Sequence, residues 1–242
     1  MCCPAAAMAF AQGDYAMAGR GWQQAHEEAE AAEDLYAQAH ALPGIGLVAL
    51  AEGDPGKAAV LFQDSIAPAE AVGGAGDWVW SLIHVWLGTA VMMETGPAAA
   101  VPYIEVGLAS ARSRGDRLAI YVALFNLSQA RIGQGDHERA RDHLKEGVRL
   151  SEQTRDLANL AYFLDALATV KDAAGDAVRV ATLLGAAQVR LRLPNGPMAT
   201  RLKLIAGCSG GCPAARDRSL ARDLSVYGHS PRRHVRAESS GM

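Results

Sequence analysis

A chain of 242 residues, half of them apolar, has room for one extended helical array and too little for several large domains. Its net charge of −3 gives no ground for nucleic-acid binding by the chain as a whole, but that charge is unevenly spread. Residues 198–242 carry eight Lys or Arg against three acids, and the first 197 residues carry 15 against 23. Ala is abundant, β-branched runs are few and apolar residues recur at helical spacing, which excludes a sheet and predicts an all-α fold.

In chain order, residues 4–12 predict a short first helix, read either as a frayed half-repeat or as the end of something longer. Residues 14–33 predict the next helix. It closes on an acidic run, Glu27, Glu28, Glu30, Glu33 and Asp34, of the kind that marks a solvated face. Helix pairs follow at 36–52 with 55–72, 77–94 with 98–113, 117–133 with 137–154, and 157–174 with 177–192. Pro43 lies inside the first of these and predicts a bend or a split there. The run Trp78 to Met93 is uncharged but shorter than the roughly 20 residues of a membrane span, so it predicts a buried middle helix. Pro194-Asn195-Gly196-Pro197 ends the regular pattern, which sets a boundary between an array at 1–193 and a basic tail at 194–242.

One grammar repeats about every forty residues. Its turns are Gly13-Asp14, Gly53-Asp54, Thr95-Gly96, Gly135-Asp136 and Gly175-Asp176. Gly ends a helix by taking positive φ, and the Asp after it caps the next one with its carboxylate. Five residues past each turn comes a small or slim residue, namely Ala18, Ala58, Ala100, Ala140 or Val180, and nine past comes a large one, namely Trp22, Phe62, Ile104, Leu144 or Leu184. Eight before the turn stand Ile45, Leu87, Leu127 and Leu167, each followed by a small residue, Gly46, Gly88, Ser128 or Ala168. Small residues let two helix axes approach, and large ones fill the groove beside them. Gly73, Gly115-Asp116 and Arg155-Asp156 punctuate successive pairs.

This pattern resembles the tetratricopeptide repeat, although its period exceeds the usual 34 residues and no Pro recurs at its end. The alternative is a HEAT-type array, whose period is also about forty. The resemblance implies a right-handed α-solenoid of four to five helix pairs with an irregular basic tail. It also implies that residues thirteen, ten, six, three and two before each turn line a concave groove. On this chain those are Leu82, Val85, Thr89, Met92 and Met93, then Val122, Phe125, Gln129 and Ile132, then Tyr162, Asp165, Thr169 and Asp172. A Met-rich trough with a polar, acidic far end suits a protein or peptide partner, an amphipathic helix above all, or a small-molecule inducer. The alternative is that the longer helices close the groove and turn these positions into core.

No catalytic constellation stands out, so no enzyme and no cofactor is expected. Gly53-Asp-Pro-Gly-Lys57-Ala58 lacks the first Gly, the Ser/Thr and the preceding strand of a phosphate loop, and reads as the repeat turn. Arg114-Gly115-Asp116 reads as a helix-connecting turn rather than an adhesion motif, and the sequon at Asn126 falls in mid-helix. Cys208, Cys212, His229 and His234 have zinc-binding residue types, but the gap between Cys212 and His229 is too long for the usual finger, so no metal is expected. The start at Met1-Cys2-Cys3-Pro4 has no basic segment of the secretory kind, so a reduced cytoplasm and no membrane are expected.

Residues 175–188, Gly-Asp-Ala-Val-Arg-Val-Ala-Thr-Leu-Leu-Gly-Ala-Ala-Gln, look like the last repeat of large actinobacterial ATP-binding regulators of the LuxR type, similar to MalT-like proteins. That resemblance implies a sensor array working with an ATPase domain, in cis or in trans. The chain carries no ATPase signature and reads as a fragment or stand-alone derivative. In the tail, Leu220, Ala221, Leu224, Val226, Ser230, His234 and Val235 follow the spacing of the LuxR-type helix-turn-helix. Tyr227 and Pro231 depart from it, and a Pro inside a recognition helix would break it. If the tail reads DNA, Ser230, Arg232, Arg233, His234 and Arg236 carry the contact. A degenerate remnant or an unrelated tail are the alternatives.

Overall fold

The computed structural model describes residues 4–73 and 78–172. The helices of these residues are α1 (Pro4–Gln12), α2 (Tyr15–Ala31), α3 (Leu35–Glu52), α4 (Pro55–Val72), α5 (Trp78–Glu94), α6 (Pro97–Arg114), α7 (Arg117–Gly133), α8 (His137–Thr154) and α9 (Leu157–Asp172). Each packs against the next in the chain. The first helices of successive pairs also touch, α3 with α5, α5 with α7 and α7 with α9. Among the described residues there is no strand, and the architecture is an α-solenoid. The second helix of the last pair, the boundary at 193/194 and the tail lie outside the described residues.

The turns explain why these segments stop and start where they do. Gly13, Gly53, Gly115 and Gly135 all take left-handed φ, between +67° and +85°. The N–H of the following Asp then reaches back five residues to a helical carbonyl: Asp14 to Ala9, Asp54 to Ala49, Asp116 to Ala111 and Asp136 to Arg131, each at 2.9 Å. That closes one helix in the Schellman manner. The same Asp opens the next helix, its carboxylate accepting the N–H three residues on at Met17, Lys57, Ala119 and Arg139. The turn recurs about every twenty residues, because Glu33-Asp34 and Arg155-Asp156 adopt it too, with Glu33 at φ 52° and Arg155 at φ 56° in place of glycine. Gly96, standing where Asp would cap, takes φ 120° and offers no side chain, and Pro97 starts α6 behind it.

Packing follows the small–large alternation. Ala18, Ala58, Ala100 and Ala140 are fully buried, and so are Phe62, Ile104 and Leu144, with Trp22 close behind. A Cβ on Gly46 would stand 2.6 Å from the Phe62 ring, one on Gly88 2.4 Å from Ile104, and one on Gly44 2.3 Å from the Trp22 indole. Hydrogen would be the only tolerable substituent at these three points. The helix α5 is buried along most of its length, as its uncharged sequence predicts. No helix of the described residues is long and apolar enough to cross a membrane.

Pro43 is a correction. The helix α3 runs through it from Leu35 to Glu52 without splitting. A Pro inside a helix forfeits one backbone bond and costs about 3 kcal/mol. Here the loss is offset by position: α3 packs on α2, α4 and α5, and Ala41, Leu42, Pro43, Gly44 and Gly46 are all buried. Tertiary burial outweighs the local preference.

Candidate partner-binding face

The predicted groove residues fall into two groups. Leu82, Val85 and Thr89 of α5, and Val122 and Phe125 of α7, are buried, none more than 7% exposed. They do not line a groove. They belong to the core that α5, α6, α7, α8 and α9 share, part of which is the seam where α5 meets α7. At that seam Thr89 Oγ1 lies 3.2 Å from Asn126 Oδ1, while Asn126 Nδ2 donates to the Val122 carbonyl at 2.9 Å. Both side chains are buried, so this clasp satisfies polar groups that would otherwise be costly. The physical reason for the correction is helix length. With 17 residues in α5 and in α7, the positions thirteen to six before the turn lie alongside the neighbouring first helix instead of beyond it.

Met92, Met93, Gln129 and Ile132, near the C-terminal ends of α5 and α7, stay half-buried. Met92 and Ile132 rest on the core around Leu127, and Met93 on the core around Phe62. On α9, Tyr162 is half-buried and Asp165 reaches the surface. Burial pushes the Tyr162 phenol up, with the Asp165 charge adding to it, and burial pushes the Asp165 carboxyl up. Tyr162 is thus partly shielded from water while Asp165 reaches it, which leaves the carboxylate at the accessible end of the pair. The side chains of Thr169 and Asp172 lie outside the described residues, as do Ser230, Arg232, Arg233, His234 and Arg236. What remains accessible is a shallow strip of two methionines, an amide, an isoleucine and a Tyr–Asp pair on three successive first helices.

Sequence reasoning missed two polar clusters. Ser81 Oγ on α5 donates to Ser110 Oγ on α6 at 3.0 Å and receives Arg114 Nη2 at 2.8 Å, and Arg114 also pairs with Asp116 at 3.4 Å. Arg112 holds both carboxylate oxygens of Glu146 at 2.7 Å, and Arg131 pairs with Glu105 at 3.1 Å. Between those pairs sits His143, whose pKa is lowered chiefly by burial and by the two arginines. His84, stacked on Trp80 with ring centroids 3.9 Å apart, is likewise pushed down, chiefly by burial. The only advance signal was Ser81 and His84 in the otherwise apolar stretch of α5; nothing marked His143 and Glu146 among the many polar residues of α8. Among the described residues no group of three His, Cys, Asp or Glu could hold a metal, and the Cys208, Cys212, His229, His234 set lies outside them.

Against solved structures, the chain is similar to BtubC (BKLC) from P. vanneervenii, with a TM-score of 0.63 at 18% identity over 96% of this chain and 97% of that one. It is also similar to MamA in two structures, with TM-scores of 0.51 and 0.50 at 13% identity. Those matches cover 76% and 78% of this chain and 93% and 88% of theirs. At such identities the likeness establishes the fold, a tetratricopeptide-type helical repeat array. No family model matches the chain, and no curated protein matches it.

Proposed function

We propose that the chain is a non-enzymatic, protein-binding repeat scaffold whose contact surface is the strip formed by the C-terminal ends of α5 and α7 and the middle of α9. The observation that carries this reading is the half-buried Met92–Met93 pair followed, on the next first helices, by Gln129, Ile132 and the Tyr162–Asp165 pair. Methionines adapt to varied apolar shapes, and a carboxylate at one end gives an incoming helix a direction. The partner that fits is an amphipathic helix with an apolar stripe and a Lys or Arg at one end. Panning the full chain against a phage library of amphipathic helical peptides tests it. Enriched peptides should carry that pattern and should bind Met93→Glu and Asp165→Lys variants at least about tenfold more weakly, or 1.4 kcal/mol. Unchanged far-UV circular dichroism must accompany the loss. Peptides indifferent to both substitutions, or no enrichment at all, would overturn the reading.

The finer assignment, a sensor segment of a LuxR-type transcriptional regulator working with an ATPase domain, rests on the sequence of residues 175–188 and on the basic excess of residues 198–242. If that tail reads DNA, the full chain should bind random duplex weakly and lose the binding as salt rises, because phosphate contacts release counterions. A chain lacking 198–242 should not bind. Equal binding by the truncated chain would eliminate the tail as the DNA-contacting part.

A further inference from the structure

Five of the ten exposed large apolar side chains of the described residues stand at the first or second position of a first helix: Leu35 and Tyr36 on α3, Trp78 on α5, Leu118 on α7 and Leu157 on α9. They are 36–48% exposed. Consecutive helices run antiparallel through short turns, so these positions fall on one edge of the array, where α2, α4, α6 and α8 end and α3, α5, α7 and α9 begin. Cα–Cβ bonds tilt toward a helix's N-terminus, so first-turn side chains lean out over that edge. On the opposite edge the first and second helix positions, Tyr15-Ala16, Pro55-Gly56, Pro97-Ala98 and His137-Glu138, hold none of the exposed large apolar side chains. The apolar row is therefore a property of one edge, not of helix starts in general.

The charge of the chain changes sign along the array. Residues 21–111 contain one cation, Lys57, against twelve carboxylates, whereas residues 112–171 contain ten cations against eight. At the front of the edge the exposed charges are Glu27, Glu28, Glu30, Glu33 and Asp34, followed by Glu70 at the end of α4. At the back, Arg117 and Arg155 are exposed and make no ion pair among the described residues, Glu152 is exposed beside Arg155, and Arg112 is held by both carboxylate oxygens of Glu146.

We propose that this edge is a self-association surface whose partner is a second copy of the chain, related by a two-fold axis passing between α5 and α7. Under that symmetry Trp78 meets Leu118, and Leu35 and Tyr36 meet Leu157. The acidic front, Glu30 and Glu33, meets Arg155, and Glu70 meets Arg117. Such an isologous contact closes and needs no other molecule. Eight helix ends, each about 10 Å across, present roughly 800 Å² per copy, which is the area a standard-size interface buries on each partner. The apolar row supplies the buried centre, and the oppositely charged ends supply orientation, since a parallel pairing would set like charge on like.

Sedimentation velocity on the full chain up to about 100 µM tests the proposal, because area alone does not fix affinity and the upper end of that range would populate even a weak dimer. A reversible dimer is expected, weakened by salt as the charged ends are screened. Arg117→Glu with Arg155→Glu should shift dimerisation at least about tenfold toward monomer, and adding Glu30→Arg, Glu33→Arg and Glu70→Arg should restore it. These residues are exposed, so circular dichroism should be unchanged and melting should differ only by the concentration-dependent share that association contributes. As an independent variant, Leu118→Gln with Leu157→Gln should also give monomer. A wild-type chain that stays monomeric throughout the range overturns the proposal. So does a dimer indifferent to both sets of substitutions, which would place the contact elsewhere.

Discussion

Leu127→Asp is expected to unfold the array at neutral pH. Leu127 is fully buried in α7, in the core that α5, α6, α8 and α9 share. Removing its side chain costs about 2–5 kcal/mol, and an unpaired carboxylate in its place adds several more. The whole protein has only about 5–15 kcal/mol to lose. A solenoid is held by nearest-neighbour contacts, so losing the central pair also strips α5–α6 and α9 of a partner. The measurement is helical circular dichroism through a urea titration, with Val106→Asp as control: a carboxylate in the middle of the neighbouring helix α6, at a side chain 43% exposed, should cost within about 0.5 kcal/mol. The pH dependence has a definite sign. Burial raises the new carboxyl's pKa in the folded state, so the folded chain binds the extra proton and the variant regains stability as pH falls. Leu127→Asn, which cannot ionise, corrects at each pH for the native carboxylates. A Leu127→Asp chain that melts with the wild type would dismantle the repeat alignment.

The turns were legible in the sequence because their chemistry is local. Gly135-Asp136 needs only a residue tolerant of left-handed φ and a carboxylate within reach of Arg139 N–H. The small–large pairing was legible for a related reason: Gly46 with Phe62 and Gly88 with Ile104 belong to the same helix pair, so their spacing along the chain fixes their meeting. The groove was not legible. Whether Val85 and Thr89 face solvent or the array depends on how closely α5 approaches α6 and α7, which is set by helix length and by contacts such as the Thr89–Asn126 clasp across 37 residues of chain. Pro43 failed for the opposite reason: a sound local rule was overridden by burial on several sides. The acidic and basic halves can be counted from the sequence, but only the fold brings Glu33, Trp78, Leu118 and Arg155 to a common edge.

The second large effect should come from the smallest change, Gly107→Ala, because of what the methyl group would meet. A Cβ at Gly107 would stand 2.6 Å from the Ser81 carbonyl oxygen and 2.7 Å from Val85 Cγ2. A side chain can swing away, but the Ser81 carbonyl is part of α5, so α5 and α6 must separate. Separation also strains the Ser81–Ser110 bond at 3.0 Å and the Arg114–Ser81 bond at 2.8 Å. Overpacking of this kind costs about 1–3 kcal/mol, and here the upper part of that range applies because backbone blocks the relief. Against it stands a gain of about 0.5–1 kcal/mol from replacing Gly inside a helix. The net expectation is a loss of about 2 kcal/mol, lowering Tm by roughly 4–8 °C. Gly19→Ala isolates the opposing term: its Cβ would meet only Val48 Cγ1 at 3.6 Å, an ordinary contact. That variant should melt about 1–4 °C above the wild type on propensity alone. If both substitutions move Tm upward, α5 and α6 do not approach as closely at Gly107 as these contacts require, and the small-residue logic of the array fails where backbone meets backbone.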